Sequence, residues 1–302
     1  MNSKYPRLLL AAALVSLASV CHAATDEDCK GSSSECVPVG GWDFSISIGA
    51  GVRTDPVVHE STIPLVVIPH IAYYGEHFFL DDLDVGYTFF DSDHSNLSLI
   101  ASPGYDRVYF YRSDLQNIFV TGLANFNSTS GSKPPGGALV TPISGSGSSG
   151  STPNDSDTTT KRFPWHTRSV TYLAGPEWTF KVNGLSGQID VLHEITGHNH
   201  GDEIRAALGI PLSKVGGNWS ADVGLTWKSS AIVNYYYGAP GVYDAGAVLD
   251  PFVKLGYSHP LKGKWKFTGF VECERLGNAI ADSPIINARV VTTAFVGTAY
   301  SF

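Results

Sequence analysis

The sequence is poor in charged residues and in long apolar runs. Asp, Glu, Lys and Arg make up 16% of its 302 residues, against roughly 25% in soluble globular proteins. The formal net charge is −8, which argues against nucleic-acid binding because such a protein normally carries a basic face. Beyond the first 23 residues, no stretch reaches the roughly 18 consecutive apolar residues of a membrane helix. If the protein crosses a membrane, it must do so as a closed barrel, which satisfies every backbone polar group in lipid.

The N-terminal residues indicate export. A short basic stretch precedes an apolar run at 8–20, and Ala23 follows two residues after Cys21. This pattern is typical of a secretory signal peptide, here residues 1–23, with cleavage after Ala23. A buried N-terminal helix and lipidation at Cys21 are weaker alternatives. Lipidation is disfavoured because Val20 stands where Gly, Ala or Ser is expected.

Cysteine is scarce, with four residues in the chain. Cys29 and Cys36 lie in a polar segment at 24–40, predicted to be periplasmic. Because export leads to an oxidising compartment, we predict a disulfide between them. Cys273 is left over and shares the parity of apolar neighbours, so we expect it to face lipid as a small apolar side chain.

Alternation with a period of two dominates the rest of the chain. Apolar residues alternate with polar ones over 42–52, 204–212 and 219–227, as in strands with one apolar face. Trp219 and Trp227 lie at both ends of one such face, as expected of two aromatic girdles in a membrane barrel. Twelve strands are predicted, at 42–53, 62–74, 78–90, 96–111, 118–126, 167–181, 186–196, 203–212, 219–228, 246–257, 264–275 and 290–302.

These strands predict an all-β fold, a transmembrane antiparallel up-and-down barrel over 41–302. About twelve strands are expected. Ten are the alternative, because 118–126 is weak and three aspartates interrupt 78–90. An even count places both chain ends in the periplasm. The Asn183-Gly184 turn then lies on the periplasmic side, and the Ser/Gly-rich segment 127–160 forms a disordered outer loop.

Chemical motifs are weak. His193 to His198 superficially resembles a zinc-protease signature, but the two histidines are five residues apart and the segment reads as a strand entering a turn. We therefore expect no catalytic, metal or cofactor site and no enzyme activity. Charges of barrel-lumen parity occur in both signs and are expected to pair across neighbouring strands. They are Asp43, Glu177, Lys181, Asp190, Glu194, Glu203, Arg205, Asp222, Lys228, Lys254, Lys266, Glu272 and Glu274.

Several segments together resemble one known family. Gly41-Trp42, Thr196 to Gly201, and above all Glu274 to Pro284 before a terminal aromatic strand are similar to the MipA/OmpV family, the MltA-interacting proteins of the outer membrane. The resemblance extends over nearly the whole chain from about Gly41. In the last strand, Tyr300 and Phe302 share one face. That face resembles the C-terminal signal read by the barrel-assembly machinery.

The resemblance implies a function that does not involve catalysis. It suggests a scaffold in the Gram-negative outer membrane that tethers murein-remodelling enzymes, a lytic transglycosylase and a penicillin-binding synthase. A small-solute, porin-like channel and a surface adhesin remain alternatives. The expected partners are outer-membrane lipid, the periplasmic murein hydrolase or synthase, and the barrel-assembly machinery. The long loop at 127–160 and the Cys29/Cys36 pair depart from the family's usual pattern.

Overall fold

The computed structural model describes residues 39–111, 167–213 and 217–302. Its twelve strands are β1 (Gly41–Arg53), β2 (Ile63–Tyr74), β3 (Phe78–Asp81), β4 (Asp84–Ser92), β5 (Ser95–Pro103), β6 (Tyr172–Val182), β7 (Leu185–Glu194), β8 (Asp202–Ser213), β9 (Asn218–Lys228), β10 (Val248–Pro260), β11 (Trp265–Arg275) and β12 (Val290–Ser301). Two short helices, α1 (Ser230–Tyr237) and α2 (Asn278–Ala281), and a 3₁₀ turn at Tyr105–Tyr109 lie between strands. Within these described ranges, no helix has the length and apolar character needed to cross a membrane.

The strands form one closed antiparallel barrel. Each strand pairs with its neighbours in sequence, and β1 pairs with β12 to close the sheet. The closing ladder runs from Ser45 opposite Ser301 to Arg53 opposite Thr293. The predicted twelve-strand up-and-down barrel is therefore confirmed. The ring is thinnest at the short strand β3, which pairs with only the last three residues of β2, Ala72 to Tyr74.

Short and long connections alternate between the two ends of the barrel. We call the end that holds Gly41 and Ser301 the terminal end, and the opposite end the cap end. The terminal end carries tight turns, among them Asn183-Gly184, where both residues have positive φ, 51° and 82°. That geometry matches the two-residue hairpin turn predicted from the sequence. The cap end carries the longer connections, including those that contain α1 and α2.

The outward face is apolar and has an aromatic girdle at the terminal end. Val223, Val253 and other mid-strand valines are about half exposed, at 48% and 51% for these two. The girdle contains Trp42, Trp219 and Trp265, whose rings lie 5.0, 4.6 and 5.0 Å from a tyrosine ring on an adjacent strand. Amphipathic aromatic rings in such a band are typical of a barrel's membrane–water interface.

Two strand predictions were wrong in detail. The segment 78–90 is not one strand but the hairpin β3–β4, because the chain turns at Asp82, which has a positive φ of 52°. The prediction 96–111 was too long, because the strand ends at Pro103 and the 3₁₀ turn follows. The predicted strand 118–126 and the predicted loop 127–160 lie outside the described residues, as do Cys29 and Cys36. The count of twelve is correct, but it includes the extra β3–β4 hairpin.

Candidate functional site

A cap of loop elements occupies the cap end of the barrel. It consists of the 3₁₀ turn Tyr105–Tyr109, helix α1, helix α2 and the loop residues packed on them. Helix α1 buries its apolar and aromatic side chains, with Ile232, Val233, Tyr236 and Tyr237 each at most 2% exposed. The following Gly238 donates its N–H to the Asn234 carbonyl oxygen, which closes the last turn.

The cap packs against walls on different sides of the barrel. A single buried apolar cluster joins cap residues to Leu173 of β6, Leu192 of β7, Val248 of β10 and Val291 of β12. In the cyclic order of strands, β6 and β12 lie six positions apart, on opposite sides of the ring. The contiguous cluster therefore extends across the mouth of the barrel.

Asp106 ties the cap to the barrel wall, and we call this set of contacts the Asp106 latch. Its Oδ1 lies 2.7 Å from Lys228 Nζ and accepts a 2.6 Å hydrogen bond from the Tyr237 hydroxyl. Lys228 Nζ also lies 3.3 Å from Oδ2 of Asp250 on β10. The Asp106 and Asp250 side chains are 2% and 0% exposed, so each charge has left water and depends on the others for compensation.

A second contact crosses the barrel directly. Tyr109 lies in the 3₁₀ turn after β5, and its hydroxyl is 3.4 Å from Glu274 Oε2 on β11. Strands β5 and β11 are six positions apart around the ring. Burial raises the pKa of Tyr109 and of Tyr237 well above the ordinary tyrosine value. Both hydroxyls therefore keep their protons at neutral pH and can donate to these carboxylates.

Arg168 fixes the end of α1. Its Nε donates a 2.7 Å hydrogen bond to the Tyr236 carbonyl oxygen, in the last turn of the helix. A cation is favoured there because the helix dipole leaves the C-terminal carbonyls partly negative. The guanidinium stacks 3.9 Å above the Phe110 ring. Burial lowers the pKa of Arg168 from its usual value, and the Ser283 hydroxyl holds the next carbonyl, that of Tyr237, at 2.6 Å.

Below the cap, the lumen contains buried charges of both signs. The sequence predicted pairs across neighbouring strands, but Glu203, the ion-pair partner of Arg205, lies on the same strand, β8. Arg205 donates to Glu203 Oε1 at 2.6 Å and to the Ser102 hydroxyl at 2.9 Å. The Gln188 amide donates to Glu177 at 3.0 Å and to Asp190 at 3.0 and 3.1 Å. Such mixed pairing does not form the single-sign ring that selects ions in charged pores.

Other predicted lumen charges are distributed unevenly. Lys254 and Glu272 pair across β10 and β11, with Nζ and Oε2 3.9 Å apart. Asp222 is buried, whereas Lys181 is exposed near the terminal end and Lys266 is half-buried. Lys181 therefore does not contribute to the lumen interior, because its strand has already reached the turn at Asn183.

The motif-like segment at 193–198 organises its own loop. The Glu194 carboxylate is 1% exposed and accepts backbone N–H bonds from His198, Asn199 and His200 at 3.0, 3.1 and 3.0 Å. The Thr196 hydroxyl also donates to it. The acidic residue between the two histidines therefore holds the backbone N–H groups of the loop that follows it.

Sequence reasoning missed the residues of the latch other than Lys228. Asp250 shares lumen parity with Lys254, so the alternation of β10 could have revealed it. Asp106 and Tyr237 gave no such signal, because they lie beyond strand ends where the period of two stops. The predicted assembly residue Phe302 is 72% exposed, and its N–H donates to the Phe44 carbonyl oxygen at 2.9 Å.

Comparison with known proteins identifies a family. The family model of the MltA-interacting protein MipA matches residues 46–302. No curated protein gives a significant match. Among solved structures, a porin refined at 1.8 Å is 7% identical, with 86% of this chain and all of the porin covered and a TM-score of 0.34. A loop-deletion mutant of the outer-membrane protein OmpT of Vibrio cholerae is 10% identical, with 88% and 100% covered and a TM-score of 0.24. The chain is a closed β-barrel and belongs to the MltA-interacting protein MipA family.

Proposed function

We propose that this protein is a non-enzymatic scaffold that tethers murein-remodelling enzymes to the outer membrane. In this arrangement the terminal end faces the periplasm and the cap faces outward. The family name points to a murein enzyme, MltA, as a partner. The observation that carries the proposal is the cap, because a barrel with a filled mouth is suited to holding partners and poorly suited to passing solutes.

The cap argues against the channel alternative on energetic grounds. Opening it would expose the buried apolar cluster and separate Lys228 from Asp106 inside the barrel. Both changes raise the free energy of the opened cap, because apolar surface meets water and a buried ion pair is lost. At equilibrium the opened state is therefore rarely populated. We therefore expect single barrels in planar bilayers to show no steady conductance.

The terminal end offers charged turns for docking a periplasmic protein. The turn after β10 presents Lys262 and Lys264, both exposed beside the exposed Leu261. The end of β4 and the turn after it present Asp91 and Asp93, also exposed, six strand positions away. Charges of opposite sign on opposite sides of one rim can fix the orientation of a bound partner.

Co-purification from cross-linked envelopes tests the scaffold. We expect a lytic transglycosylase and a penicillin-binding synthase to be recovered with the wild-type barrel. The double charge reversal Lys262→Glu and Lys264→Glu should reduce that recovery. Arg289→Glu, at an exposed site on the cap end, serves as the matched control and should leave it unchanged. Recovery of neither enzyme with the wild-type barrel would refute the proposal.

A further inference from the structure

The early end of β3 creates a cluster of potential metal ligands on the lumen side. His70 of β2, Asp81 at the end of β3 and Asp82 in the following turn each offer one ligand atom, all within 4.8 Å of one another. The His70 and Asp81 side chains are both 5% exposed, and that of Asp82 is 10% exposed. A full-length third strand would have carried Asp82 onward along the wall, away from the imidazole.

The distances suit a small divalent cation. His70 Nδ1 lies 3.1 Å from Asp82 Oδ1 and 3.8 Å from Asp81 Oδ1. Metal–nitrogen and metal–oxygen bonds of about 2.1 Å place neighbouring ligand atoms about 3.0–3.4 Å apart in octahedral or tetrahedral geometry. The first distance falls in that range, and the second needs only a small rotation of one carboxylate.

Each of the three side chains has a further polar group close to it. On the far side of the imidazole, Asp43 Oδ2 lies 3.9 Å from His70 Nε2. The Tyr74 hydroxyl donates to Asp81 Oδ2 at 3.1 Å, and the Ile71 N–H donates to Asp82 Oδ1 at 3.0 Å. Metal-binding histidines and carboxylates are commonly held by such outer partners, a carboxylate opposite the metal being typical for histidine.

The charge of the cluster matches one divalent cation. Asp43 lies near the start of β1, at the terminal end, and its side chain is 31% exposed. The far side of the imidazole is therefore close to solvent at that opening. Two carboxylates and a neutral imidazole carry a charge of −2, which one divalent cation balances.

We propose that His70, Asp81 and Asp82 bind one divalent transition-metal cation that fastens the β3–β4 hairpin to β2. An imidazole with two carboxylates suits Zn²⁺ or Mn²⁺ better than it suits Mg²⁺ or Ca²⁺, because the latter two ions prefer sites made of oxygen ligands alone. The role is structural, because the ion would link three residues from a strand, a strand end and a turn. The scaffold proposal and this one are independent of each other.

Zinc binding to the purified full-length barrel provides the test. Zn²⁺ is titrated against a chromophoric chelator, and bound metal is counted by mass spectrometry. We expect one ion per barrel and at least a ~10-fold weaker affinity in His70→Gln and in Asp82→Asn. The control is His193→Gln, which removes an exposed histidine paired with Asp202 at 2.8 Å. That pair belongs to no three-ligand group among the described residues.

Folding of each variant is checked by heat-modifiable migration on a gel. If His70→Gln does not fold, Asp43→Asn replaces it, because Asp43 reaches the cluster only through the imidazole and should weaken binding about 10–100-fold. A barrel that binds no Zn²⁺ overturns the proposal. So does binding that persists equally in the cluster variants and in His193→Gln, since the ion would then lie elsewhere.

Discussion

The Asp106 latch should control whether the cap stays closed. In Asp106→Asn, the volume is kept but the negative charge next to Lys228 is lost. Breaking a buried ion pair costs about 3–5 kcal/mol. In this variant Lys228 retains Asp250 at 3.3 Å, and the amide oxygen of the new asparagine can still accept a hydrogen bond from Tyr237. We therefore expect the closed cap to lose about 3 kcal/mol of stability, the lower end of this range. At 1.4 kcal/mol per factor of ten, this raises the population of opened cap roughly 100-fold.

Hydrogen exchange of the α1 amides measures that opening. The N–H groups of Val233 and Gly238 are bonded within the helix, at 3.1 and 3.0 Å, and exchange only when it opens. We expect them to exchange about 100-fold faster in Asp106→Asn, while amides in the mid-barrel strands keep their rates. The control Asp282→Asn breaks an ion pair with Arg289 whose side chains are 52% and 57% exposed. Such exposed pairs contribute at most about 1 kcal/mol. Equal α1 exchange rates in wild type and Asp106→Asn would show that the latch does not hold the cap.

Three further predictions concern the wall and the C-terminus. Gly175→Ala should lower the free energy of unfolding, measured by urea titration, by about 1–3 kcal/mol. A Cβ at this position would collide with a carbonyl oxygen of β7. The control Gly246→Ala has open space around it and should leave the free energy of unfolding unchanged. Arg205→Met should cost about 3–5 kcal/mol, because it removes the 2.6 Å partner of a buried carboxylate; an unchanged unfolding midpoint would show that the carboxylate finds another partner. Phe302→Ala should leave the unfolding midpoint nearly unchanged, because the side chain is 72% exposed. It should reduce the fraction of heat-modifiable barrel assembled in cells. Normal assembly would count against a role of Phe302 as the signal for barrel assembly.

Strand positions in the wall were largely readable from the sequence, and the site was not. The alternation of β8, β9 and β10 follows from lipid on one side and lumen on the other, a constraint that acts on every second residue. It located Arg205, Lys228 and Lys254 correctly inside the barrel. The same reasoning failed at Asp82, because alternation does not reveal that a strand stops after four residues and turns back.

The sequence by itself determined the class of the protein. Low charge, strict alternation and the last aromatic strand indicated an outer-membrane barrel, because these patterns follow from local contact with lipid and water. Only the tertiary structure decided what fills that barrel. Asp106 lies 122 residues from Lys228 and 131 from Tyr237 in the sequence, and it meets them only because closure of the ring brings the connection after β5 over the same opening as the connection after β9. Contacts of that kind depend on the path of the chain in space, which no local pattern of residues encodes.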